Sequence, residues 1–221
     1  MEKVRIQPRV EIANTNNDAT KMYLYGSIGN GWFSDITSKG VKHMLSQVKT
    51  KKIELHLHSN GGDVFESVAI YNLLNNHDAE IEIYIDGIAA SGASLIAMAG
   101  NKVIMPRNTM MMIHKAWTVA MGNSDELRKT ADDMDKINNS VTETYLQRFN
   151  QSREKLEGLL SNEEYLTAQE CVDYGLADEL ADSVETNEPE ELDEIVENRI
   201  EYNNQKLNKF VAAIKAVNFN N

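Results

Sequence analysis

Residues 81–99 read Ile-Glu-Ile-Tyr-Ile-Asp-Gly-Ile-Ala-Ala-Ser-Gly-Ala-Ser-Leu-Ile-Ala-Met-Ala. Ile81, Ile83 and Ile85 alternate with polar or aromatic residues, the period of a β-strand. Gly87 breaks that strand, and Leu95, Ile96 and Met98 continue as a short, nearly all-apolar helix. Ser91 stands where strand gives way to helix, among Ala89, Ala90, Gly92 and Ala93. Two readings of that serine are open. It can cap the helix, as serine does well. It can also present its hydroxyl where unpaired helix N–H groups favour developing negative charge, with small neighbours that let a substrate backbone approach.

Outward from this stretch, the chain alternates strands and helices joined by glycine-marked turns, which indicates an α/β layered domain. Lys52–His58 alternates strictly, with Ile53, Leu55 and Leu57 on one face and Glu54, His56 and His58 on the other. The two histidines therefore point the same way, but no third metal ligand is near them in sequence. The strand ends in His58-Ser-Asn-Gly-Gly-Asp63, followed by a helix carrying Val64, Val68, Ile70, Leu73 and Leu74. Paired glycines after a strand permit positive φ and close backbone approach. A phosphate loop is not indicated, since no Gly-Lys-Ser/Thr follows. Strand Lys102–Met105, a turn at Pro106-Arg107-Asn108 and the apolar run Met110–Ile113 come next, ending at His114.

Toward the N-terminus, Thr37–Val48 has helical spacing of apolar residues, Lys21–Ser27 reads as a first strand, and residues 1–20 read as a loosely held arm. Toward the C-terminus, Leu127, Ala131, Met134, Ile137, Val141, Tyr145 and Phe149 recur at three- and four-residue steps. Asn123 with Glu126 forms a capping pair for that helix. From 124 to 149 it reaches roughly 39 Å, long enough to project and pack on a neighbouring subunit. Thr167 and Glu170 form a second capping box for a short helix ending near Gly175. Glu163 and Glu164 precede it and by themselves read as surface charges. Residues 184–221 form an acidic tail with a terminal amphipathic stretch at Leu207, Phe210, Val211, Ile214 and Val217.

Composition narrows the function classes. At 221 residues and 42% hydrophobic residues, the chain buries a full core in one domain. A net charge of −12 argues against nucleic acid and anionic membrane surfaces as partners. A single cysteine, Cys171, excludes internal disulfides, and no Cys/His cluster has zinc spacing. Neither a signal peptide's apolar core nor a membrane-spanning run is present. These features describe a soluble cytoplasmic protein that needs no metal or other cofactor.

Four blocks then carry a resemblance. Ser59-Asn-Gly-Gly-Asp63, Gly87-Ile-Ala-Ala-Ser-Gly92, Met112-Ile-His114 and Tyr165-Leu-Thr-Ala168 with Tyr174-Gly-Leu-Ala-Asp178 resemble, in order and spacing, the Clp protease proteolytic subunit family. Gly61-Gly-Asp-Val-Phe65, Val103-Ile-Met-Pro106 and Asp125-Glu-Leu-Arg-Lys129 are closest to its phage branch, the Clp-related head maturation proteases. The resemblance covers about 22–182. It implies a Clp peptidase/crotonase-like spiral of ββα units over 21–183, with 124–149 as a protruding handle helix. It implies Ser91 as nucleophile, His114 as base, and the backbone N–H groups of Gly62 and Gly92 as the oxyanion hole. The third member, usually aspartate in the family, falls on Glu163, with Glu164 or Asn162 as substitutes if the loop shifts by one residue.

Elementary chemistry agrees with that assignment. A serine hydroxyl is a weak nucleophile and needs a base within hydrogen-bond reach. Histidine titrates near neutrality, and a carboxylate can fix its tautomer. The implied partners are polypeptide substrates, other copies of the chain in homo-oligomeric rings, and either phage scaffold and capsid proteins or a Clp ATPase. Two other classes remain to be separated from a peptidase: a crotonase-fold acyl-CoA enzyme, which would not need a Ser–His pair, and a non-catalytic ring protein.

Overall fold

The computed structural model describes residues 6–15, 18–31 and 34–182. The acidic tail, its terminal amphipathic stretch and the first five residues lie outside these. The described chain runs β1 (Arg9–Thr15), β2 (Thr20–Tyr25), α1 (Ser38–Leu45), β3 (Lys52–Ser59), α2 (Val64–Asn75), β4 (Glu80–Ala90) and α3 (Gly92–Ala97). It continues through β5 (Lys102–Pro106), β6 (Met110–Ile113), α4 (Ser124–Leu146), α5 (Arg153–Ser161), β7 (Glu164–Thr167), α6 (Ala168–Asp173) and β8 (Glu179–Ala181). One sheet runs β1-β2-β3-β4-β5-β8, with β6 joined to β4 and β7 to β6. Helices between mostly parallel strands make this an α/β fold, the class that the resemblance implies.

The alternation seen in the sequence sorts the sheet into two chemically distinct faces. Met22, Leu24, Ile53, Leu55, Leu57, Ile83 and Ile85 are fully buried on one face. They join Val41, Ile70, Leu74 and Ile96 of the helices in a single core. The register Tyr23–His56–Tyr84 fills the other face, the His56 ring being stacked 4.8 Å from Tyr23 and 5.1 Å from Tyr84. The expected pair of histidines does share this face. His56 Nδ1 lies 2.8 Å from Asp86, and His58 Nδ1 accepts the Ile88 N–H at 3.1 Å. Burial lowers the His58 pKa, so its ring serves as a neutral acceptor.

Three expectations change. The arm over 1–20 includes strand β1, which pairs antiparallel with β2 from Arg9↔Tyr25 to Thr15↔Thr20. Its polar residues hid it, because an edge strand needs only half a buried face. Gly87 does not end β4. The strand continues to Ala90, and the absent side chain leaves room for the His58 ring, which would lie 2.7 Å from a Cβ there. What changes near Gly87 is the neighbour: Glu82–Tyr84 pairs with β5, whereas Ile88–Ala90 pairs with β6.

Helix α4 ends at Leu146 rather than 149, spanning 23 residues or about 35 Å. Its Asn123/Glu126 capping box is formed as expected. The helix divides by environment. Leu127 is 43% exposed, while Val141 and Tyr145 are buried within the domain itself. A partner surface is therefore not needed to cover the C-terminal part of its stripe. The Arg148 guanidinium anchors that end, donating to Gly100 O at 2.7 Å and to Asp178.

Candidate active site

The change of neighbour along β4 creates the site. Ala90 stands opposite Met112 of β6, and the Ser91 N–H donates to Met112 O at 2.8 Å. His114 lies two residues beyond Met112, on the same side by strand alternation. Its Nε2 comes 2.6 Å from Ser91 Oγ, a bond the serine hydroxyl donates when that nitrogen is unprotonated. Ser91 has φ 55° and ψ −124°, a conformation L residues avoid, and makes no side-chain cap for α3. Both facts separate it from an ordinary helix cap. A strained strand-to-helix turn that thrusts a serine outward is how nucleophiles are displayed on other α/β folds.

The glycine turn after β3 lies against this elbow. Gly62 has φ +153°, and a Cβ there would meet Ile28 O at 1.9 Å. A Cβ on Gly92 would meet Ser67 Oγ at 2.1 Å and would sit 3.6 Å from Gly62 N. Gly62 therefore accepts only glycine, a Cβ at Gly92 would displace the Ser67 hydroxyl, and the two backbones are neighbours. Among the described residues, none accepts a hydrogen bond from the Gly62 or Gly92 N–H, and both residues line the cavity at Ser91.

Two connected hollows flank the Ser91–His114 pair. One, of about 260 Å³, is walled by Leu95, Trp117, Met134, Ile137 and Val141. The other, of about 490 Å³, is bounded by Ser27, Asp35, Asn60 and Met112 as well as Trp117. The apolar wall was missed from sequence. Its signal was the three- and four-residue stripe of α4, which equally fits a helix facing another subunit.

The acid position sits at the rim. The β6–β7 ladder runs from Met110↔Thr167 to Ile113↔Glu164 and stops there, with Glu163 in the turn just before β7 and His114 just after β6. Within the ladder, alternation gives Glu164 the side of Ile113 and Leu166. Glu163 follows the Asn162 C-cap of α5 with φ 53°, in the place glycine usually takes. Its carboxylate is exposed and has no hydrogen bond to another described residue. In this structure the serine and histidine are engaged, and the Glu163 carboxylate is hydrogen-bonded to neither.

Comparison with known proteins agrees with the fold. A family model described as Clp protease matches residues 8–184. The ATP-dependent Clp protease proteolytic subunit of Ligilactobacillus salivarius is 32% identical over 136 residues, 60% of this chain and 68% of that protein. The subunit of the same description from Deinococcus radiodurans is 27% identical over 145 residues, 64% of this chain and 71% of that protein. That from Oltmannsiellopsis viridis is 27% identical over 144 residues, 64% and 73%. With the family pattern spanning the whole described domain, the chain belongs to the Clp protease family of serine endopeptidases.

Proposed function

We propose that this protein hydrolyses peptide bonds through Ser91, His114 and Glu163, with the Gly62 and Gly92 N–H groups as the oxyanion hole. The observation that carries this reading is the 2.6 Å contact between Ser91 Oγ and His114 Nε2 at a strained elbow. His114 takes the Ser91 proton as Oγ attacks the scissile carbonyl carbon. The carbonyl oxygen gains the negative charge and is met by the two glycine N–H groups, which have no acceptor of their own among the described residues. His114 then gives its proton to the leaving amine, and a water repeats the sequence to release the acyl group. Glu163 serves by accepting from the far side of the imidazole, which favours the imidazolium formed in each step. Catalytic hydrogen bonds are often long in an unliganded site and tighten around substrate. The apolar hollow beside Ser91 suits a large aliphatic or aromatic side chain next to the cleaved bond.

The narrower reading is processing of scaffold and capsid proteins during phage head assembly in the bacterial cytoplasm, by a homo-oligomer. Its support is the phage-like character of Gly61–Phe65, Val103–Pro106 and Asp125–Lys129. The relatives' description as ATP-dependent subunits supports a second reading, in which an ATPase feeds the site. Incubation with an unfolded polypeptide without nucleotide, beside Ser91→Ala, tests the shared chemistry. Cleavage by the wild type alone is expected, together with labelling of Ser91 by a fluorophosphonate. Labelling that survives Ser91→Ala would remove Ser91 as nucleophile. A folded substrate cut only when a Clp ATPase and ATP are added would favour the second reading.

A further inference from the structure

A buried chain of hydroxyls joins α4 to the nucleophile turn. Ser94 is fully buried, and Tyr145 is 1% exposed. Ser94 Oγ lies 2.6 Å from Tyr145 Oη, 2.5 Å from Ser91 O and 3.2 Å from Met112 O. The direction of these bonds follows from what each atom can do. Carbonyl oxygens only accept, so the Ser94 proton goes to Ser91 O, with Met112 O the weaker partner. Ser94 Oγ must then accept from Tyr145, whose phenol burial holds well above its ordinary pKa and so protonated. The Ser94 N–H also donates to Ser91 O, at 2.9 Å. Two donors from behind thus clamp one carbonyl oxygen.

That oxygen belongs to the Ser91–Gly92 peptide unit. A peptide is planar, with its C=O and N–H pointing in opposite directions. Clamping Ser91 O therefore fixes where the Gly92 N–H points, and it points away from the clamp toward the site. The same clamp holds Ser91 at its unfavourable φ, which would otherwise relax. We propose that Ser94 and Tyr145 are positioning residues that hold the Ser91–Gly92 peptide plane and so aim the Gly92 N–H at the reacting carbonyl oxygen. The proposal rests on the peptidase reading above. It makes the buried end of α4 part of the oxyanion apparatus, although no atom of Ser94 touches substrate in this scheme.

The test is a double-substitution cycle on a fluorogenic peptide, with the rate of fluorophosphonate labelling as a second readout. Ser94→Ala should lower kcat between about 10- and 100-fold, short of deleting an oxyanion donor outright. Tyr145→Phe keeps the ring volume and should lower kcat about tenfold. Both should leave KM near the wild-type value, because the aimed N–H matters most in the transition state. Since the hydroxyls act in series, the doubly substituted protein should be no slower than Ser94→Ala alone. Thr144→Val, which removes a hydroxyl bonded only to Ser140 O of its own helix, should keep full activity. Unchanged kcat in Ser94→Ala, losses confined to KM, or losses that multiply in the double variant would each overturn the relay. Should Ser94→Ala not fold, the kcat and KM of Tyr145→Phe decide the matter. A wild-type protein whose Ser91 does not take the probe overturns the peptidase reading itself and the relay with it. Labelled wild type beside equally labelled variants overturns the relay only.

Discussion

Ser91 and Glu163 are the two non-glycine residues with positive φ among the described residues, at 55° and 53°. The surroundings treat them very differently. Ser91 is held by four hydrogen bonds: its N–H to Met112 O, its carbonyl to the Ser94 N–H and hydroxyl, and its own hydroxyl to His114. Glu163 sits in the left-handed region at an exposed helix end, with no such hold on its side chain. A left-handed L residue costs roughly 1–2 kcal/mol. At Ser91 buried neighbours over-determine the conformation. At Glu163 glycine would fit better, which makes this position the place to separate the proposed role of the carboxylate from its part in folding.

Four substitutions, with Glu164→Gln as a control, break or sharpen this contrast. The largest effect is expected at the locked position. Ser91→Ala should reduce kcat by at least about 10⁴-fold in a peptidase assay, with the fold intact by circular dichroism. Residual activity near wild type would end the assignment. At the loose position, Glu163→Gln should lower kcat between about 10² and 10⁴-fold at little cost in KM. Glu164→Gln, in the strand opposite Ile113, should be nearly silent. Equal, mild effects from both would mean that neither carboxylate orients His114.

The third substitution lies on the helix between them. Ile137 and Met134 line the cavity at Ser91, so a change there would confuse assembly with catalysis. Leu127 does not line it and is 43% exposed, which makes Leu127→Asp the cleaner probe of self-association. Light scattering should give the wild type several times the 24.9 kDa chain mass and Leu127→Asp a smaller species. A wild type that weighs one chain would remove the expectation of rings. The smallest effect is on stability. Glu163→Gly should raise the unfolding free energy by about 0.5–1 kcal/mol, relief of the left-handed backbone outweighing the added freedom of the unfolded chain. A melting temperature about 1–4 °C higher is the expected reading. Combined with lost activity, it would separate catalytic from structural need at one residue. A lower melting temperature would mean that the Glu163 side chain supports the fold after all.

Much of this was legible in the chain because it is local. The alternation of Ile53, Leu55 and Leu57, the stripe of α4, and the capping boxes at Asn123 and Thr167 each depend on residues within a few positions of one another. Ser91 at a strand–helix junction was legible for the same reason. So was the parity of the two histidines on β3. Strand β1 and the passage of β4 through Gly87 were not, because an edge pairing and a ring filling a missing side chain depend on distant partners.

The amino-acid sequence by itself determined which residues could do chemistry and roughly where along the fold they stand. Tertiary structure alone decided which of them meet. Ser91 and His114 are 23 residues apart, and they touch only because β4 exchanges β5 for β6 in its last three pairs. Glu164 is a strand residue paired with Ile113, whereas Glu163 lies in the turn before it, a difference that residue type does not reveal. Ser94 and Tyr145 are 51 residues apart and carry no motif that joins them. Local periodicity encodes the shape of each element. Register and packing between elements are set by the summed burial of many residues at once, and no short stretch contains that information.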